Sequence, residues 1–281
     1  MIAFVGSEAI AYRAVSRGVL RSRYTAILPN IYVPNGTPLD LEVRAQAAWL
    51  WCGRSGVIAG RAAAGLYLTP GAVTAEPIEV IALKSKHPPG VIVRNERIAV
   101  DEITIRQNLP VTSPARTALD LARRLDRADA VELIDQLIAA TQVCEDDIRR
   151  LAGRYPRARG IAAARATIMD IDGGALNAEE TRVRLILTDG GMRPTHTQIR
   201  VTDGFRETVV AMGWPAHKVG VNCHDPGAQR FPYQAVAAAD LLRDLGWLVI
   251  DVLPEHGRGR IIDRTRTAVW SRTRKRPAGP R

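Results

Sequence analysis

The apolar run KVGV leads directly into Asn222, Cys223, His224 and Asp225, four polar residues at a strand's end, where many enzymes keep their chemistry. Two chemistries suit those residue types. Cys223 and His224 are good zinc ligands, but neighbours on a strand point to opposite faces, so the two share one centre only across a bulge. The remaining candidate ligands, His196, His217 and His256, stand singly, and no metal site is expected from them. His224 and Asp225 make an acid–base pair in type, without a Ser or Cys nucleophile in triad-like context beside them. Both readings have a structural rival in hydrogen bonding at the strand end, and nearby Glu180, which Asn177 precedes by three residues at a helix start, fits a capping box.

The elements that must position these residues read helix, strand, strand, strand, helix, strand, from EETRVRLILTDGG through THTQIRVTDG, ETVVAMGWP, KVGVNCHD and AVAAADLLRDLGW to WLVIDVLP. That order predicts a small α/β sheet flanked by helices. The paired glycines of IDGGAL mark the domain boundary before it. At the other end, SEAIAYRAVS has helical apolar spacing behind Ser7, a candidate cap, and a second short helix begins at Ser16. YTAILPNIYVPNG alternates as a β-ribbon turning near Pro29 and Asn30. Helix, helix and hairpin is the winged-helix outline, whose second helix lies in the major groove. Arg17, Arg21 and Arg23, with Tyr24 beside them, would then form the presented surface; the alternative is a solvated basic face. Between these ends lie a helix at Leu39 to Trp51, the strand GVIAG, the helix RAAAGLYL and three strands in PIEVIALKS, GVIVRNERI and EITIRQNL. A helix capped by Ser113, with Pro114 at its first position, follows them, then three more helices to Met169.

The net charge of +10 invites a nucleic-acid partner, because Lys and Arg supply phosphate contacts. From Gly257 to Arg281, however, nine Lys or Arg face one acid, a surplus of 8 that leaves +2 for the rest. The end, SRTRKRPAGPR, is nearly free of apolar residues and reads as a disordered basic tail. Three cysteines, Cys52, Cys144 and Cys223, are odd in number and widely spaced, so they are expected to be reduced. No apolar run approaches the roughly 18 residues of a spanning helix, and the N-terminus lacks the series of a signal peptide; a cytoplasmic protein without a membrane partner is expected.

Several strings together resemble the AbiEi-like, antitoxin-type proteins of actinobacteria: FVGSEA, LRSRYTAILPNIYVP, VIAGRAAAGLY and LPVTSPARTALDLA, then ETRVRL, MGWP and LGWLVIDV. The resemblance covers nearly the whole chain, and VTSPARTALDLA is its most specific piece. It implies an α+β protein with a winged-helix DNA-binding segment at 1–37, a central α+β antitoxin-like module at 38–172, a nuclease-like α/β domain at 173–272 and a basic tail at 273–281. The third domain would have the restriction-endonuclease-like fold of the very-short-patch-repair enzymes. In that family a Glu of an ET-x-x-R helix, an Asp three residues before a strand Trp, and an E-x-D-G strand end with a following His supply the catalytic set. Here Glu180 is retained, but the strand Asp falls on Ala211, the E-x-D-G segment falls on Asn222 to Asp225, and two later polar positions fall on Ala235 and Ala238. The resemblance therefore implies a DNA-binding, antitoxin-type regulator that is a pseudoenzyme, with Ala211, Asn222 and His224 at degenerate positions, a cognate toxin as a second partner and no cofactor. Its rivals are an active Mg²⁺-dependent endonuclease using Glu180 and Asp225, and a toxin-neutralising module that binds no DNA.

Overall fold

Ser16, Asp40 and Ser113 start helices for one reason: each side-chain oxygen accepts from an N–H three residues on, Val19 at 3.3 Å, Val43 at 2.9 Å and Arg116 at 3.3 Å. The computed structural model describes residues 2–69, 71, 73, 77–83, 87–223 and 232–273. They form a mixed α+β protein whose chain divides into two units, Met1–Met169 and Asp170–Arg281. Among the described residues no helix is long and apolar enough to cross a membrane.

Unit 1 opens with β1 (Phe4–Val5), α1 (Gly6–Ala11), α2 (Arg17–Arg23), β2 (Tyr24–Leu28), β3 (Ile31–Pro34) and α3 (Leu41–Trp51). The strands form one antiparallel sheet in the order β1-β3-β2. Ala3, Ile31 and Val33 pack on Val43, Ala47 and Leu50 of α3, so the core of this segment extends past residue 37. Buried Gln46 of α3 accepts the Ile2 and Ala3 N–H groups at 3.1 Å and so ties the first strand down. Ser7 is not the α1 cap. Val5 occupies that position, and the Ser7 hydroxyl instead accepts from Asn30 Nδ2 in the β2–β3 turn at 2.8 Å. The helix also ends at Ala11 rather than Ser16, because Arg13 takes a left-handed backbone with φ of 56° that no α-helix continues through.

The unit continues through β4 (Val57–Ala59), α4 (Gly60–Tyr67), β5 (Ile78–Ile81), β6 (Val91–Arg94), β7 (Ile103–Arg106) and β8 (Leu109–Thr112). Their sheet runs β6-β5-β4-β8-β7. Strand β8 is absent from the sequence reading because Pro110 lies within it, and an internal proline argues against a strand. Helices α5 (Pro114–Arg124), α6 (Arg127–Ala140), α7 (Glu145–Arg154) and α8 (Ile161–Ile168) complete the unit. Alanines of α3 and α4 let Ile58, Ile78, Val80 and Val111 close a core against those helices.

Unit 2 comprises α9 (Ala178–Asp189), β9 (His196–Thr202), β10 (Glu207–Trp214), β11 (Val219–Cys223), α10 (Pro232–Asp244), β12 (Leu248–Val252) and α11 (Arg258–Thr273). β9, β10 and β11 form an antiparallel meander, and α10 carries the chain across to β12, which pairs parallel to β11. Val183, Met212, Val221, Ile250 and Ile261 belong to one core. The final helix corrects the sequence reading. Thr273 belongs to α11, as do Ser271 and Arg272, so the tail expected to start at Ser271 or Thr273 is helical that far; residues 274–281 lie outside the described residues.

Candidate functional site

Three constellations bear on function, and the first is the basic face of the opening helices. On α2 only Leu20 is buried, so Arg17 and Arg21, one turn apart, lie on the exposed side with Arg23. None of the three has an acidic partner among the described residues. Their backbone is fixed: Asn35 Nδ2 donates to Ser22 O at 2.9 Å, and the Asn35 N–H donates to Arg23 O at 3.0 Å, fastening the helix end to the ribbon. Tyr24 is only half exposed, because its ring meets Phe4 edge-on at 5.1 Å.

The second constellation is a buried ion network centred on α5, which sequence reading missed. Arg116, fully buried, reaches Asp120 at 3.2 Å, Glu102 at 2.5 Å and Glu96 at 3.1 Å, and its guanidinium lies 5.0 Å from the Tyr155 ring centroid. Burial works against the Arg116 charge, yet Asp120 and Glu102 outweigh it and hold its pKa above the usual value. Tyr155 donates to Glu102 at 2.7 Å; burial and that bond push its phenol up to about 12. Arg94 pairs with Glu79 and lies 3.4 Å from Asp120, and burial brings it down to about 10. Glu79 also accepts the Arg61 N–H at 3.1 Å, acting as cap for α4, whose own N-cap residue is the capless Ala59. A signal was present in ARTALD, where Arg116 and Asp120 stand four apart on one helical face. VTSPARTALDLA is therefore a cap, a buried ion cluster and an apolar stripe.

The third is the strand-end site of unit 2. Asn177 Oδ1 accepts the Glu180 N–H at 2.9 Å, as a capping box requires, but the Glu180 carboxylate accepts from Leu176 N–H and from Gln198 Nε2, both at 2.9 Å, rather than from Asn177 N–H. Gln198 takes a left-handed backbone, φ 47°, within β9. Ala211 is buried in β10 and has no side-chain atom that could hold a metal, and Asn222 Oδ1 accepts the Ala211 N–H at 3.1 Å. Burial, reinforced by Glu180 and Glu179, pushes the Cys223 thiol far above its ordinary range, which keeps it protonated. Ala235 and Ala238 both lie on α10. His224 and Asp225 lie outside the described residues.

Among the described residues no three His, Cys, Asp or Glu side chains gather as a metal would need. The described groups at this strand end are a carboxylate that already accepts several hydrogen bonds, an alanine, and an amide oxygen engaged in the sheet.

Residues 59–169, running from the end of β4 through α8, match the family of AbiEi antitoxin C-terminal domains. The entire ion network from Glu79 to Tyr155 falls inside that segment. Two uncharacterized proteins of Mycobacterium tuberculosis, MT2308 and Rv2248, are each 29% identical over 173 residues, which is 56% of this chain and 63% of theirs. The chain thus spans less than two thirds of the relatives' length. No solved structure matches.

Proposed function

We propose that this chain is a DNA-binding regulator of antitoxin type that acts in the cytoplasm. The observation that carries the reading is the match of residues 59–169 to the AbiEi antitoxin C-terminal domain. Two short helices and an antiparallel ribbon precede that segment, an arrangement suited to a winged helix, with the exposed Arg17, Arg21 and Arg23 free to contact phosphates. An electrophoretic shift assay on the DNA upstream of its own gene tests this. Retention of the duplex that weakens with salt is expected; folded protein that shifts no duplex even at low salt rejects it.

Unit 2 in this reading is nuclease-like in fold and has lost its chemistry. The meander followed by a crossover to a parallel strand supports the fold, and the engagement of Glu180 and Asn222, with Ala211 between β9 and β11, supports the loss. Incubation of DNA with Mg²⁺ or Mn²⁺ is expected to leave it uncut. Metal-dependent cleavage that Glu180→Ala abolishes would instead establish an endonuclease built on Glu180 and Asp225.

A second reading, toxin neutralisation without DNA, is favoured by one observation: the matched segment begins at residue 59, beyond the helix pair. Neutralisation of a cognate toxin by a chain carrying Arg17→Ala and Arg21→Ala separates the two activities.

A further inference from the structure

Beside the buried ion network lies an open cavity of about 550 Å³, bounded by the β6–β7 connection, α5 and the α7–α8 connection. Its charged rim includes Arg97, Arg123, Arg154 and Arg159, with Glu96 and Glu102 at its floor. The ion network beside it is internally balanced. Arg94, Arg116, Arg123 and Arg124 face Glu79, Glu96, Glu102 and Asp120 in a connected set of ion pairs, and Arg154 meets Asp101 at 2.6 Å. Arg97 and Arg159 remain, exposed, with no carboxylate partner among the described residues. Positive charge is crowded here, since Arg159 is one of the groups, after burial, that lower the Arg124 pKa.

The rim is built rather than loose. Arg123 Nε donates to Arg159 O at 3.0 Å. The next residue, Gly160, has φ of 79°, and a Cβ there would collide with the Arg123 carbonyl, so only glycine lets the α7–α8 connection close so tightly on α5. Ile98, Ala99 and Ala158 add an apolar wall. A cavity of this size, with one apolar wall and two uncompensated guanidiniums that suit bidentate phosphate oxygens, has the features of a small-ligand site.

We propose that this cavity binds the phosphate groups of a nucleotide, with Arg97 and Arg159 holding the phosphates and the apolar wall facing the base. The site is distinct from the α2 surface assigned to DNA, and its fate is independent of that reading. Calorimetric titration of the full chain with ATP, with pyrophosphate and with adenosine tests it. ATP and pyrophosphate are expected to bind saturably and adenosine not to bind. Arg97→Ala with Arg159→Ala should weaken ATP at least tenfold, while Arg17→Ala with Arg21→Ala leaves it unchanged. Both rim side chains are exposed, so the variant should keep the parent's circular dichroism and melting temperature; each single substitution reads the same effect at smaller size. A 5′-phosphorylated short oligonucleotide that displaces ATP extends the ligand to nucleic-acid ends, and one that does not confines it to free nucleotides; both retain the phosphate assignment. Absence of saturable binding by ATP and pyrophosphate, or equal binding by the rim variant, overturns the proposal.

Discussion

Arg116 is the hub of the buried set: without it Glu102 keeps, as a cation among the described residues, only Arg154 at 3.7 Å, while Glu96 and Asp120 fall back on Arg123, and a buried charge stripped of its close partner costs far more than the intact cluster contributes. Arg116→Met is expected to destabilise unit 1 by about 3–5 kcal/mol, read from the shift of its denaturant midpoint; a change below about 1 kcal/mol would show that the network is decorative. The opposite situation holds at Asp203 in the β9–β10 turn. Its carboxylate accepts the Arg206 and Phe205 N–H groups and an Arg206 guanidinium bond, which hold its pKa at about 2. Because the folded value lies below the ordinary 3.8, the turn's contribution is complete above that pH and fades as pH falls toward 2. An NMR titration of the Asp203 carboxyl should therefore give a midpoint near 2, whereas a midpoint near 3.8 would mean the turn is open in solution.

At the scale of elements, α11 holds unit 2 through a narrow stripe of Ile261, Thr265 and Ala268, all buried. Ile261→Ala should cost about 2–5 kcal/mol by calorimetry, since its side chain is 1% exposed within the unit 2 core; a loss under about 1 kcal/mol would show that α11 is not integral to that core. The stripe's spacing of four and three was visible in the sequence, but the arginines around it mask the apolar pattern of a helix. Caps were more legible. Ser16, Ser113 and Asn177 each accept the backbone bond that their position suggested, because a cap is a local interaction. Ser7 misled because a distant partner, Asn30, engaged its hydroxyl. The same limit hid the ion network: Arg116 and Asp120 are four residues apart, but their meaning depends on Glu96, Glu102 and Tyr155, which only tertiary folding brings together. At the strand end, the uncharged Ala211 and Asn222 are read directly from the sequence, whereas the turn of Glu180 toward Gln198 depends on a left-handed residue within β9 that no sequence pattern announced.

For the whole molecule, most of the net positive charge lies after residue 256, so charge alone makes a nonspecific binder. The proposed function requires more: that the α2 surface of unit 1 carries DNA affinity of its own. Salt-dependent DNA binding by the chain, compared with Arg17→Ala, Arg21→Ala, measures that directly. Each phosphate no longer neutralised by an arginine should flatten the slope of log affinity against log salt by about 0.9, so the double variant is expected to have a slope shallower by about 2 and to bind more weakly at every salt concentration. Equal slopes and equal affinities for the two proteins would contradict the assignment of the DNA surface to α2.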